Sequence, residues 1–369
     1  MNTTEIRIHW NLLQLPGIGH YTINKLLDTF HLPSAILEAG RKELARHAFV
    51  TEKVLRSLLH YKEDHQFIDR ELEFCDRQQI RVIPRYDDSY PRRLLPVEDA
   101  PSLLFYKGCA SLDPARTVAV IGTRNHTDYG KQVVKELMKT LEGQEMTIVS
   151  GLAAGIDGLA HHYALQHGLP TIGVLGHGLD TMYPAQHTAL AQRMTTQGGL
   201  LTEFPSGTAA LKPNFPLRNR IVAGLSDFIL VVETKERGGA MITARLGFGY
   251  NREIGAVPGN TGREYSGGCN LLIKSDIAHL VEHSNDILEI MSWAPSNGEK
   301  KVIQKALFTE LTAAEQLVVT HLQKTKQLHF DELLLQTQLS YAQLSSTLLN
   351  LEMQDIIISL PGKRYQLGA

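Results

Sequence analysis

Residues 117–178 have the sequence TVAVIGTRNHTDYGKQVVKELMKTLEGQEMTIVSGLAAGIDGLAHHYALQHGLPTIGVLGHG, and this stretch decides the fold class. Apolar runs, such as 118–121 and 171–175, alternate in it with segments of helix length. Runs without polar alternation suit strands that are buried on both faces, and helices are the usual connections between parallel strands. The stretch therefore predicts an α/β domain built on a doubly wound, Rossmann-like parallel sheet.

The chain of 369 residues is longer than one hydrophobic core usually organises. The strand and helix alternation continues to about residue 290, and a segment with the composition of a linker follows at 295–301. We predict three domains, which are a helical domain at 1–75, a Rossmann-like core at 76–295 that opens with a connecting region at 76–116, and a winged-helix domain at 300–369.

The two outer domains are predicted from their element patterns. In the first, Leu15-Pro16-Gly17-Ile18-Gly19 before a helical segment resembles a helix-hairpin-helix turn of a SAM-like domain, and both phosphate binding and simple packing stay open for it. In the last, three predicted helices precede a predicted hairpin, which is the winged-helix order. Its third helix, 340–354, has no lysine or arginine, so we expect this domain to contact protein rather than duplex DNA.

Composition narrows the function classes. A hydrophobic share of 43% and a charged share of 21% are typical of a soluble globular protein. No apolar run is long enough to span a bilayer, and the N-terminus lacks a signal-peptide pattern, so we expect a cytoplasmic protein without a membrane partner. Three cysteines without metal-ligand spacing predict reduced thiols, and we expect neither a metal nor a cofactor. At a net charge of −2, any phosphate-binding surface must be a local patch.

Glycine-rich segments occur at 122–124, 150–157, 176–180 and 237–243, and each of them follows a predicted strand. Open α/β sheets bind ligands outside the carboxyl ends of their strands, where glycine lets the backbone approach an anion closely. These segments together favour an anion site at that edge. The sequence contains neither a G-x-G-x-x-G after the first core strand nor a G-x-x-x-x-G-K-[ST], so NAD binding and P-loop ATP hydrolysis are not favoured.

Residues 204–226, FPSGTAALKPNFPLRNRIVAGLS, contain three basic side chains, one central phenylalanine and no acidic residue. Cations that track a phosphate backbone, with an aromatic face for a base, are the components of single-strand binding. The other interpretation is a structural loop whose arginines pair with carboxylates elsewhere. The residues alone leave both interpretations open.

Ordered sequence blocks over the core resemble the DNA-processing protein A (DprA/Smf) family. The blocks are Gly122–Arg124, SGLAAGID at 150–157, VLGHGLD at 174–180, FPLRNRIVAGLS at 215–226 and VPGN at 257–260. This resemblance implies a homodimer that binds single-stranded DNA, protects incoming DNA and loads RecA during natural transformation. RecA and the single-strand-binding protein are therefore expected partners.

Carried over position by position, the resemblance implies a DNA-binding pocket that contains Arg124, Gly151, Gly155, Lys212, Phe215, Arg218, Asn219 and Arg220. Arg124 is expected to meet a phosphate and Phe215 to stack on a base. The chain departs from the family pattern at Ala154, where an arginine is common, and at Thr123, where a serine is common. These departures concern the detailed contacts of the pocket.

The alternative is a nucleotide-binding or nucleotide-cleaving enzyme of the related α/β superfamily. Asp157 and His161 are four residues apart on a predicted helix and could polarise a water or hold a metal. An aspartate that opens a helix, however, is commonly a partner of the helix dipole. The nucleotide-cleaving relatives carry P-G-G-x-G-T-x-x-E, and residues 237–244 lack its glutamate. We therefore expect no enzymatic activity.

Overall fold

The computed structural model describes residues 3–62, 65–293, 311–325, 327–353, 356–360 and 362–367. The chain divides into two compact units, residues 1–298 and 299–369. The N-terminal helices and the sheet belong to the same unit, so the boundary near residue 75 stays a prediction. The predicted linker at 295–301 lies outside the described residues. Within those residues, no helix combines the length and the apolar character needed to cross a membrane.

The first unit begins with a helical layer. Its helices are α1 (Thr3–Gln14), α2 (His20–Phe30), α3 (Pro33–Glu38), α4 (Arg41–Leu44), α5 (Glu52–Leu59) and α6 (His65–Arg77). Leu12, Ile23 and Leu26 are fully buried in its core. The turn between α1 and α2 holds Gly17 at φ +87°, a conformation that favours glycine. The predicted helical hairpin is thus present, and its role in phosphate binding stays a prediction.

A nine-stranded sheet forms the centre of this unit. Its strands are β1 (Arg81–Pro84), β2 (Leu103–Gly108), β3 (Thr117–Ile121), β4 (Thr147–Ser150), β5 (Thr171–Val174), β6 (Gly199–Thr202), β7 (Phe228–Val231), β8 (Glu253–Ala256) and β9 (His279–Leu280). Their order is β1-β2-β6-β5-β4-β3-β7-β8-β9. Every pairing from β6 across to β9 is parallel, and β2 and β1 extend the β6 side in antiparallel pairing.

Helices cover both faces of the sheet. They are α7 (Asp128–Thr140), α8 (Ile156–Gln166), α9 (Thr188–Gln197), α10 (Asn214–Leu225), α11 (Gly239–Gly249), α12 (Gly267–Lys274) and α13 (Ser284–Ile290). Alternate residues of β3 enter two separate cores, with Val118 and Val120 beside α7 and α8, and Ala119 and Ile121 beside α10 and α11. Burial on both faces explains the wholly apolar strands, and the predicted doubly wound, Rossmann-like sheet is confirmed.

The second unit has the winged-helix order that the sequence predicts. Its elements are α14 (Ala313–Lys324), β10 (Leu328–His329), α15 (Phe330–Thr337), α16 (Tyr341–Met353), β11 (Ile357–Leu360) and β12 (Arg364–Leu367). The predicted hairpin is β11–β12, and β10 adds an unpredicted third strand beside β12. Val318, Leu333 and Leu344 are fully buried at the centre of its core.

Candidate nucleic-acid interface

A cavity of about 350 Å³ opens at the carboxyl edge of the sheet, and we call it the switch-point cavity. The chain runs from β3 through β4 and β5 to β6 on one side and places β7 on the other side of β3. Ligands of open α/β sheets bind at such a reversal of strand order. The loops after β3, β4 and β7 and the first turns of α10 and α11 form the walls. Five predicted site residues line it, namely Arg124, Gly151, Phe215, Arg218 and Asn219.

Arg124 and Phe215 contact each other at the mouth of the switch-point cavity. Arg124 is exposed in the loop that follows β3, and its guanidinium carbon lies 5.4 Å from the centre of the Phe215 ring. This is cation–π geometry. Gly176 makes room for the ring, because a Cβ there would lie 3.1 Å from it. The arrangement presents one cation and one aromatic side chain together to solvent.

Arg218 lies at the wall of the cavity and is 4% exposed. Its guanidinium donates hydrogen bonds to the carbonyl oxygen of Gly151 and, at 2.5 Å, to that of Val174. Burial lowers the pKa of Arg218 to about 10, an effect that Asp157 opposes, so the side chain is charged at neutral pH. Arg218 thus fastens the loop after β4 to the end of β5 and adds a positive charge beneath the cavity.

Gly155, the N-cap residue of α8, supports the cavity from outside its lining. Its φ is +85°, and a Cβ there would overlap the carbonyl oxygens of Thr123 and Arg124. The backbone N–H of Ile156 donates to the Thr123 carbonyl over 3.1 Å. The glycine therefore lets the loops after β3 and β4 pack directly against each other, and it holds Arg124 in place through the backbone.

Lys212 and Arg220 do not line the switch-point cavity. Lys212 is exposed on the loop that leads into α10. Arg220 is 6% exposed, and its guanidinium binds the Glu203 carboxylate and the Asp99 carbonyl oxygen. Positions 218 and 220 are about 200° apart around a helix, so their side chains leave opposite sides of α10. Arg220 thus forms a buried ion pair, and its predicted DNA contact stays a prediction.

Asp157 and His161 occupy different environments. Asp157 lines the cavity, and burial raises its pKa, whereas the Arg218 guanidinium and the neighbouring backbone N–H groups act in the opposite direction. His161 is fully buried and hydrogen-bonded to the Thr171 hydroxyl over 2.7 Å, and burial lowers its pKa to about 3. A neutral, enclosed imidazole cannot exchange protons with a ligand in the cavity. Among the residues that the structure describes, no group of three His, Cys, Asp or Glu side chains could hold a metal.

Lys235 also lines the cavity and was not predicted from the sequence. It is the fourth residue after β7, pairs with the Glu264 carboxylate and lies 5.2 Å from the centre of the Tyr265 ring. Its position in the short loop between a buried strand and the glycines at 238 and 239 is the signal that could have found it.

The fold and the cavity define the chain as a Rossmann-like α/β protein with an appended winged-helix domain. A profile of the DNA recombination-mediator protein A family matches residues 81–292, and a profile of the DprA winged helix domain matches residues 305–363. The chain therefore belongs to the DNA recombination-mediator protein A family.

Proteins from several bacteria are similar in sequence to this chain. Protein Smf of Escherichia coli is 40% identical over 237 residues, and this match covers 63% of each chain, less than two thirds of that protein. DNA processing protein DprA of Streptococcus pneumoniae is 42% identical over 60% of this chain and 80% of its own. Protein Smf of Synechocystis is 28% identical over 96% of each chain.

Two solved structures are similar as well. DNA processing protein A of S. pneumoniae superposes with a TM-score of 0.66 at 32% identity, over 78% of this chain and 98% of that one. DNA processing protein A of Helicobacter pylori, whose structure concerns its single-stranded DNA binding mode, gives a TM-score of 0.53 at 28% identity. That match covers 58% of this chain and 96% of the H. pylori chain.

Proposed function

We propose that this chain binds single-stranded DNA in the switch-point cavity and acts as a recombination mediator in the cytoplasm. The observation that carries the proposal is the contact of Arg124 with the Phe215 ring at the mouth of a cavity walled by glycine-rich loops. Membership of the recombination-mediator family and the single-stranded DNA binding of the H. pylori relative support it.

The residues of the cavity match the needs of a single strand. Arg124 supplies a cation for a phosphate, and Phe215 supplies a ring on which any base can stack. Gly238 and Gly239 begin α11 without a side-chain cap, so the first backbone N–H groups of that helix are available to an anion. Exposed Lys212 adds a second cation on the approach to α10. Arg218 contributes from the cavity wall, because it adds a positive charge and fixes the loop at Gly151.

Protection of incoming DNA, RecA loading during natural transformation, and homodimer formation belong to the same proposal. RecA is the proposed recipient of the strand, and the single-strand-binding protein is a further proposed partner. For the winged-helix domain we propose a protein-contact role. Its exposed apolar side chains support this, with Leu335 at 80%, Tyr341 at 63% and Leu349 at 58% exposure.

The nucleotide-cleaving alternative has one observation in its favour, which is that the Asp157 carboxylate lines the cavity. Burial lowers the pKa of His161 to about 3, so this imidazole is a weak base that is enclosed away from the cavity. We therefore propose that the cavity binds its ligand without cleaving it.

The test is fluorescence anisotropy of a labelled oligonucleotide with the full-length chain and with Phe215→Ala, with unlabelled duplex as competitor. Loss of one stacked base is expected to cost about 1–3 kcal/mol of binding free energy, and duplex is expected to compete poorly. Phe248→Ala, which removes a ring that is 53% exposed near the far end of α11, is the matched control. Wild-type protein that does not bind single strands would contradict the proposal, and nucleotide hydrolysis by it would favour the alternative.

A further inference from the structure

A second, smaller cavity of about 40 Å³ adjoins the first on the β5 side, and we call it the side cavity. Arg124, Gly151, Phe215 and Arg218 line both cavities. A strand held at the mouth of the switch-point cavity can therefore continue past Phe215 and over the mouth of the side cavity. The wall that the side cavity adds includes Tyr183, from the loop that follows β5.

Tyr183 presents an aromatic face next to Phe215. The ring centres are 5.8 Å apart and the ring planes are inclined by 40°, so the two rings are not stacked on each other. Tyr183 is 47% exposed, which is a large exposed area for an aromatic side chain beside a cavity. Two neighbouring ring faces inclined to each other can each receive a base, as successive bases of a single strand require.

The backbone at Tyr183 is fixed by a buried histidine. The N–H of Tyr183 donates to Nε2 of His177 over 3.3 Å, and His177 is 1% exposed. Because Nε2 accepts this bond, Nδ1 carries the proton of the neutral ring and donates it to the carbonyl oxygen of Gly178 over 2.8 Å. The ring of Tyr183 thus projects from a backbone that is already held in place, so binding costs less conformational entropy.

The charges of the side cavity suit a phosphate backbone. Its lining contains two arginines, and no aspartate or glutamate occurs among its described lining residues. Arg124 lines both cavities and is exposed, so its guanidinium is accessible to a phosphate at the mouth of either cavity. A nucleotide that stacks on Tyr183 would therefore keep its phosphate beside a cation.

We infer that Tyr183 is a second base-stacking residue, and that a bound single strand runs across the sheet edge from the switch-point cavity over Phe215 to Tyr183. This inference rests on the proposed single-strand binding and specifies the path of the strand. Tyr183 then contacts the nucleotide next to the one on Phe215.

The experiment measures the affinity of the full chain for oligothymidine with Tyr183→Ala, Tyr183→Phe, Phe215→Ala and Phe248→Ala. Loss of the Tyr183 ring is expected to weaken binding about 5- to 160-fold, the equivalent of one stacked base. Tyr183→Phe keeps the ring and is expected to retain most of the affinity. Phe248→Ala removes an exposed ring that lines neither cavity and serves as the control.

A direct readout keeps the inference independent of folding defects. An oligonucleotide with 5-iodouracil at one position is photocrosslinked to the wild-type protein, and crosslinks to both Phe215 and Tyr183 are expected on mass spectrometry. If wild-type protein binds, Phe215→Ala weakens binding and Tyr183→Ala does not, with no crosslink at Tyr183, this inference is overturned and the proposed function stands. If wild-type protein does not bind single strands, the proposed function itself fails.

Discussion

Glu203 and Arg220 form an ion pair whose side chains are only 4% and 7% exposed. Nε2 of His20 lies 3.3 Å from the same carboxylate, and Arg220 also binds the carbonyl oxygen of Asp99. The pair therefore joins α10 to the segment after β6 and to α2 of the helical layer. Arg218, two positions earlier, lines the switch-point cavity. One side of α10 therefore stabilises the fold, and the opposite side forms part of the proposed binding site.

Replacing Arg220 with alanine is expected to lower the free energy of unfolding by about 3–5 kcal/mol, because it leaves the buried Glu203 carboxylate without its partner. Urea unfolding measures this change. The double variant Arg220→Met/Glu203→Leu removes both charges and is expected to recover much of the loss. A stable Arg220→Ala protein with weakened DNA binding would instead return Arg220 to the binding site.

Gly155→Ala is expected to lower stability by more than about 1 kcal/mol and to weaken single-strand binding as well, because the new Cβ overlaps the backbone that holds Arg124. Gly143→Ala is the matched control, since Gly143 has φ +78° and no atom within 4 Å of its would-be Cβ. Thermal unfolding and anisotropy compare the two variants. Equal effects of both substitutions on DNA affinity would contradict the supporting role of Gly155.

The salt dependence of binding tests the proposed phosphate contact of Arg124. Each phosphate neutralised on a single strand contributes about 0.7 to the slope of log K against log salt, so Arg124→Ala is expected to reduce the slope by about that amount. Lys212→Ala gives the same measurement for the second proposed cation. Arg92→Ala, which removes an arginine with a side chain 86% exposed and outside both cavities, is expected to leave the slope unchanged. A slope unaltered in Arg124→Ala places the phosphate elsewhere.

The stability of the protein is expected to fall as the pH drops below about 6.5, in part because of His161. Burial lowers the pKa of this histidine to about 3, so the unfolded chain binds a proton that the folded chain does not. Its contribution is complete above the unfolded pKa and is lost toward pH 3, at about 1.4 kcal/mol per pH unit. Urea titrations between pH 7 and pH 4 are expected to show a shallower decline for His161→Asn than for wild type.

His9 offers an internal comparison for this pH dependence. It is equally buried, and burial lowers its pKa to about 3 as well. His9→Asn is expected to flatten the decline by a similar amount, and the double variant by about the sum of the two. Curves that stay parallel to that of wild type would show that neither histidine is held neutral.

The core strands that the sequence predicted from apolar runs are those buried on both faces, because both of their faces need apolar side chains. Thr117–Ile121 and Phe228–Val231 are of this kind. Gly199–Thr202 was missed, since two leucines after a glycine do not distinguish a strand from the end of a helix. Leu103–Gly108 was missed as well, because it joins the sheet in antiparallel pairing outside the alternating pattern.

The predicted site residues that converge are those at carboxyl ends of neighbouring strands, since a parallel sheet brings these ends to one edge. Arg124 and Gly151 meet there for that reason. For α10, the sequence could not tell the arginine that lines the cavity from the arginine that stabilises the fold. Arg218 and Arg220 differ by their direction around the helix axis, and that direction depends on which side is covered by Glu203 and the helical layer, which are distant in sequence.

The two outer strands of the large sheet matter for a protein that is proposed to form a homodimer. Unpaired edges of a wide sheet invite pairing with other chains, which leads to aggregation. Here one edge strand, His279–Leu280, has two residues, and the other, Arg81–Pro84, has four and ends in a proline that cannot donate a hydrogen bond. Such edges leave little backbone for a neighbouring copy to pair with. Two copies can therefore come together without continuing the sheet of one copy into the other.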